Sequence, residues 1–418
     1  MKIIVAHEGK QHSYRTAEAL QRSGSLAKYI TTIYDKPRSL TRLVKHLLRG
    51  SMRKKASSRV SERVDPRKVQ LFCEPQELLL LLISKISMLK RFGEGYRQRI
   101  QHRFGIKVAK YAIRHGVDGV IMYDTGANSC FEYLLREAPH IKRILDVTIA
   151  NRLYLLEIYI ADSQLDNSNI VIEQELIFTP QYIERCREEL QLSQYFLAGS
   201  NFVRDSLLYS GVEAEQIRVV PYGVDVAKFS CKEYDRTPSA ESTPLKVLFI
   251  GCCSYRKGLH HLLKVVESYP TKSIELYIAG DYSADSPIYV EYHNRANIHF
   301  LGFTSRDTLH SYISRCDIFA LPSLAEGLAL VTLEAMASGL PIICTTNTGV
   351  NDLIRDYQHG FVISPSKSDE LRSRIDWYME NRSSIEPMGR RARELVKCYT
   401  WDNYSAKLMD AVREIINH

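Results

Sequence analysis

The chain has 418 residues, 45% hydrophobic and 25% charged, with a net charge of +8. That balance is globular, with room for two or three domains, and the longest apolar run, Leu78 to Ile83, is far too short to span a bilayer. Nine cysteines, irregularly spaced and with Cys252 beside Cys253, exclude a disulfide framework or paired zinc ligation and point to reduced thiols in a cytoplasmic protein.

In chain order, MKIIVA reads as a first strand, with no small-residue cleavage site after it. Further strands are expected at 119–123, 144–147, 195–198 and 218–220, then at 246–250, 275–279, 299–301, 318–321 and 341–344. Each is a short apolar or β-branched run, and helical patterns alternate with them. That alternation predicts parallel α/β construction in two doubly wound domains. The polar stretch 225–244, ending in Pro and Ser, reads as the linker between them. The boundaries expected are 1–225, 226–400 and a last helix at 401–418. That helix carries Trp401, Tyr404, Leu408, Ala411, Val412 and Ile415 at helical spacing, with Thr400 as its cap.

Charge is uneven. Between Lys36 and Lys68 stand twelve Lys/Arg against Glu62 and Asp65, a net of +10, so the rest of the chain sums to −2. Within this segment SLTRLVKHLLRG (39–50) places Leu40, Leu43, Val44, Leu47 and Leu48 on one helical face. Arg42, Lys45, His46 and Arg49 lie on the other. An apolar face ringed by cations suits an anionic membrane surface. An ordinary packed helix with a solvated basic face is the competing reading. Nucleic acid is not expected as a partner, because no aromatic platform interleaves the cations.

LPSLAEGLALVTLEAMASGLPII (321–343) sets two carboxylates, Glu326 and Glu334, in apolar surroundings. The strand at 318–321 ends at Pro322, a turn follows, and 330–337 is helical, stopped by Gly339 and Pro341. Glu326 then lies at a strand end, where doubly wound sheets bind ligands, and Glu334 about two turns into the helix. Two other strand ends point to the same crevice: GCCSYRKG (251–258), with Gly251, Arg256 and Lys257, and GDYS (280–283), opening on Gly280. Cations on one loop and carboxylates on another fit a ligand with a diphosphate and a hydroxyl-rich sugar.

These motifs resemble the GT-B glycosyltransferases of glycosyltransferase family 4. The E-x7-E pair Glu326/Glu334 is the most specific element. FIGCCSYRKGLHHLL (249–263), VVPYGVDVAKF (219–229) and LAGSNFVRDSLLYSGV (197–212) match in the family's order. The resemblance implies two Rossmann-like domains facing a cleft, with the last helix crossing back to the first domain. It implies that Glu334 holds the ribose hydroxyls of a nucleotide sugar and that Glu326 lies near the donor sugar, where a retaining enzyme would put a nucleophile. Lys257 would bind the diphosphate, and Gly327 and Leu328 would offer it backbone N–H groups. The family retains anomeric configuration without a metal or other cofactor, and no Asp-x-Asp ligand motif is present.

The sequence departs from the family at several points. Cys252 stands where an arginine is common, with Arg256 as a substitute. The usual E-G-F-G reads Glu326-Gly-Leu-Ala329, and alanine is more restricted than glycine. HEGKQHSY (7–14) lacks paired glycines. On the acceptor side the strand-end candidates are His7, Glu8, His12, Asp124, Asp146 and Asn151, with no general base assigned; the leaving diphosphate can take the acceptor proton. The expectation is a retaining, metal-independent transferase acting from a nucleotide sugar on a glycan or lipid-linked acceptor. It would be cytoplasmic and peripheral at the inner membrane face through residues 36–68. A degenerate GT-B protein that binds nucleotide or glycan without turnover is the alternative.

Overall fold

The computed structural model describes residues 1–48, 53, 56–83, 90–166, 178–232, 243–304 and 306–418. Part of the expected linker, and Arg49, Gly50, Lys54 and Lys55 of the basic segment, lie outside the described residues. The first sheet has seven strands: β1 (Ile3–Ala6), β2 (Leu26–Thr31), β3 (Val69–Leu71), β4 (Gly119–Tyr123), β5 (Lys142–Val147), β6 (Tyr195–Ala198) and β7 (Ile217–Val219). Their spatial order is β3-β2-β1-β4-β5-β6-β7. The second sheet has six: β8 (Leu245–Ile250), β9 (Ile274–Ala279), β10 (Ile298–Gly302), β11 (Ile318–Leu321), β12 (Ile342–Thr345) and β13 (Gly360–Ile363). They run in the order β10-β9-β8-β11-β12-β13.

All pairings are parallel. Central strands such as IIVA of β1 and IFAL of β11 are apolar at every position because helices cover both faces, and every residue in them is buried. Each sheet reverses its strand order once, between β1 and β4 and between β8 and β11. The loops leaving those strands are therefore the natural ligand loops of each domain.

Three structures join the domains. Ala150, Leu155, Tyr159 and Phe202 of the first domain form one buried cluster with Leu324 and Ala325 of the second. Asp162, near the end of helix Arg152–Asp166, receives His261 Nε2 at 2.8 Å and lies 3.3 Å from His260 Nε2. Ser366 of the second domain donates to the same carboxylate. The last helix, Trp401–Asn417, is capped by the Thr400 hydroxyl and packs on helix Ser13–Arg22 of the first domain. Tyr404 Oη and Thr16 Oγ1 meet there at 2.9 Å. Among the described residues, no helix is long and apolar enough to cross a membrane.

Candidate active site

The turn after β11 brings Glu326 beside the loop after β8. Glu326 Oε1 lies 2.6 Å from Lys257 Nζ and 3.2 Å from Arg256 Nη1, and Ser323 Oγ donates to it at 2.9 Å. Burial alone would raise its pKa. The Arg256 guanidinium, the Lys257 ammonium and the Ser323 hydroxyl overcome that and hold it below the usual carboxylate value. Arg256 also donates to the Ala325 carbonyl at 2.9 Å, which fixes its direction. Cys252, which stands where the family commonly has an arginine, is exposed.

At Gly327 the two domains' backbones touch. A Cβ built there would lie 2.0 Å from the Thr148 carbonyl oxygen of the first domain. Ser200 Oγ, also of the first domain, donates to the Gly327 carbonyl at 2.5 Å. Glycine is therefore required by the approach of a second backbone. Ala329 has φ −70° and ψ 88°, so the alanine that replaces the family's glycine carries no left-handed strain. Gly280 has a structural reason of its own, since a Cβ there would fall 1.8 Å from the Gly251 carbonyl oxygen. Gly251 and Gly280 press the ends of β8 and β9 together and do not line the cleft.

Between the domains lies a cavity of 520 Å3, within the size range of small-molecule sites. Arg256, Glu326, Gly327 and Leu328 line its second-domain wall; His12, Thr148, Arg152 and Tyr222 line the wall opposite. Glu334 is half-buried on helix Leu330–Ala337. The helix begins at Leu330, so Glu334 lies one turn in, not two. It follows Leu330, which lines the cavity, by one turn on the same helix face, and does not itself line the cavity.

On the first domain the candidates separate. His12 lines the cavity, with Asp146 behind it: His12 Nε2 and Asp146 Oδ2 are 2.9 Å apart, and both side chains are buried. Asp124 positions the β5 loop. Its Oδ1 accepts from Thr148 N at 3.0 Å and Thr148 Oγ1 at 2.6 Å, and its Oδ2 meets Arg152 at 3.3 Å. His7 and Glu8 face a neighbouring cavity on the first domain alone.

Asn151 is turned away from both cavities. Its Oδ1 accepts from Leu153 N at 3.0 Å and Ser210 Oγ at 3.1 Å, so it caps its own helix and ties it to helix Asn201–Tyr209. Its neighbour Arg152 reaches the cleft instead. A cation at a strand end was the available signal for Arg152. Thr148 lay within the strand-end stretch 146–151, but its contact depends on how the domains close. Gln11, which lines both cavities, holds a strained φ of 27°.

Among the described residues, one group has metal-ligand character: Asp162, His260 and His261, whose ligand atoms lie within 4.8 Å of one another. The hydrogen bonds already given account for it as an interdomain hydrogen-bonded cluster.

Residues 232–395 match the model of the family "Glycosyl transferases group 1". Curated relatives similar to this chain include an uncharacterized glycosyltransferase of Methanocaldococcus jannaschii, 25% identical over 216 residues, covering 48% of this chain and 54% of the relative. Sulfoquinovosyl transferase SQD2 of Arabidopsis thaliana is 27% identical over 213 residues, covering 49% and 41%. The chain spans about half the length of the curated relatives it matches. Among solved structures, sucrose-phosphate synthase from Thermosynechococcus elongatus matches over the whole of both chains, with TM-score 0.67 and 16% identity. HepE of Anabaena, in complex with UDP-glucose, matches with TM-score 0.63 and 16% identity over 99% of this chain and 100% of its own. The whole chain, first domain included, has the GT-B fold.

Proposed function

We propose that the protein is a retaining, metal-independent glycosyltransferase that moves a sugar from a nucleotide-sugar donor to a glycan or lipid-linked acceptor. The observation that carries this reading is the buried Glu326 held between the half-buried Arg256 and Lys257, with Glu326 and Arg256 lining the interdomain cavity. A carboxylate held ionised between two cations, with a second carboxylate one helical turn from Leu330 of the cavity wall, is a place for a diphosphate and a polyol together. When the donor enters, its diphosphate takes the two cations. Glu326, released from them, is left facing the donor sugar. Gly327 and Leu328, which line the cavity beside a helix start, offer the diphosphate backbone N–H groups. Glu334 accepts from ribose hydroxyls. The diphosphate takes the acceptor proton as it leaves, so the reaction needs no separate base. Arg256, a cation beside Glu326 where Cys252 offers none, argues against a degenerate, binding-only protein.

The HepE complex with UDP-glucose makes uridine donors the first to try. A thermal-shift screen against nucleotide sugars, followed by turnover with the best binder, tests the proposal. Turnover of one donor is expected. Binding with no turnover of any donor would leave the binding-only reading standing.

The acceptor side is proposed to sit on an anionic membrane at the inner face. Leu40, Leu43 and Leu47 of helix Leu40–Leu47 are 40%, 63% and 83% exposed. Arg42 and Lys45 stand beside them, and Arg53 is also exposed. Exposed leucines in a segment of this charge favour a lipid surface over a packed helix.

A further inference from the structure

On the face of the first domain away from the cleft lies another open cavity, of 770 Å3. Strands β5, β6 and β7 are parallel, so their starts all meet that face. Arg143 comes from the start of β5, Tyr195 opens β6, and Gln216 leads into β7. Gln191 and Ser193 join them from the end of helix Pro180–Leu192. Every side chain that lines the cavity is polar or aromatic, so it has no apolar lining for a lipid chain.

Arg143 is 5% exposed. Its Nε donates to the Leu192 carbonyl at 2.7 Å, which ties helix Pro180–Leu192 to the sheet. That tie uses one of the five N–H donors of a guanidinium, and a neutral amide could make it. Nη1 is shut off from solvent and has no hydrogen-bond partner among the described residues. Burial pulls the Arg143 pKa down, and no carboxylate acts to raise it. Arg218, the other arginine of the lining, is fully answered. Its Nε meets Glu414 Oε2 at 2.8 Å, and its Nη1 donates to the Glu215 and Ile217 carbonyls at 2.7 and 3.1 Å. Lys142 lies over the Tyr195 ring, 5.8 Å from its centroid, and Glu215 is exposed. A buried cation without a counter-charge is costly, and this one stands in a cavity wall.

We propose that this cavity binds a small hydroxyl-bearing oxyanion, of the class of sugar acids and sugar phosphates, as a ligand separate from the two substrates. Its carboxylate or phosphate group meets the Arg143 guanidinium, whose planar fork suits either. Its hydroxyls meet Gln191, Gln194 and the Tyr195 hydroxyl. Gln194 is already placed for this, because its Oε1 accepts from Arg143 N at 3.2 Å. Roughly 16 Å of strand separates Arg143 from Thr148 on the cleft wall, so the ligand does not compete with a donor there.

The test is calorimetry on the full chain with glucuronate and glucose 6-phosphate, beside glucose and inorganic phosphate. Saturable binding of glucuronate or glucose 6-phosphate is expected, about tenfold or more tighter than that of glucose, and the better of the two tells carboxylate from phosphate. Arg143→Gln keeps a donor for Leu192 but removes the charge, and should weaken binding by about tenfold or more. Tyr195→Phe keeps the ring under Lys142 and should weaken it by about threefold; this variant decides if Arg143→Gln does not fold. Lys257→Ala, altered in the cleft, should bind the anion as the wild type does. No saturable binding of either anion, equal binding of glucose or of inorganic phosphate, or unchanged affinity in the deciding variant would overturn the proposal. So would a loss in Lys257→Ala, which would place the anion in the cleft. None of these readings depends on turnover of a donor.

Discussion

Glu326 stays charged in a place where burial alone would neutralise it, and the groups that keep it so are those a diphosphate would claim. Removing one of them should separate the two parts of the donor. Lys257→Ala should weaken nucleoside diphosphate binding yet barely touch the bare nucleoside; equal losses for both would contradict a phosphate role. Glu334→Gln should weaken donor binding by about 1.5–3 kcal/mol through a lost charge-assisted hydrogen bond to the ribose. Unchanged donor affinity in calorimetry would remove Glu334 from the site. Gly327 is the third single-residue test. The Cβ of Gly327→Ala would collide with the Thr148 backbone, so the domains should part and turnover fall. Small-angle scattering should record the wider particle, and an unchanged profile would mean that this contact does not set closure.

At the scale of elements, the strands that were legible are those whose apolar runs fill their whole length. β4, β6 and β11 occupy the very residues expected. β2, β3 and β13 were not legible. β3 has three residues and β13 four, too few to show a period. β2 is interrupted by Lys28, whose ammonium reaches out to the Arg67 carbonyl at 2.7 Å. In the site, residues leaving a strand end could be named from sequence: Glu326, Lys257, His12. Whether a side chain then faces the cleft or caps a helix, as Arg152 and Asn151 divide the work, depends on the turn.

The latch between helices Arg152–Asp166 and Leu259–Glu267 had no sequence signature, because its members come from different domains. Burial would raise the Asp162 pKa, but hydrogen bonds from His260, His261 and Ser366 more than offset this and hold it well below its usual value of 3.8. A carboxylate depressed in the folded state stabilises that state at neutral pH and loses its contribution as pH falls below its ordinary range. Acid unfolding midpoints should therefore differ between wild type and Asp162→Asn. The variant should be less stable at neutral pH, and the gap should close as pH drops through 3.8 and below. A constant gap across that range would mean that the carboxylate's charge does not hold the latch.

On the scale of the whole molecule, the first domain faces two ways, toward the second domain through Thr148 and Ser200, and outward through leucines and cations. Cosedimentation with vesicles separates lipid docking from simple packing. Binding should need anionic lipid, weaken with salt and drop when Arg42, Lys45 and Arg53 become Ser. Failure to bind anionic vesicles at low salt would leave the exposed leucines without a membrane role and point to a soluble acceptor.

The transfer reaction itself is tested most directly by nucleoside diphosphate release from a panel of nucleotide sugars, wild type beside Glu326→Gln. One donor should be turned over by the wild type, and the variant should release product on the order of a hundredfold more slowly while binding the nucleoside diphosphate within about threefold of wild type. Equal release by the two proteins, or release from no donor at all, would contradict a glycosyl transfer centred on Glu326.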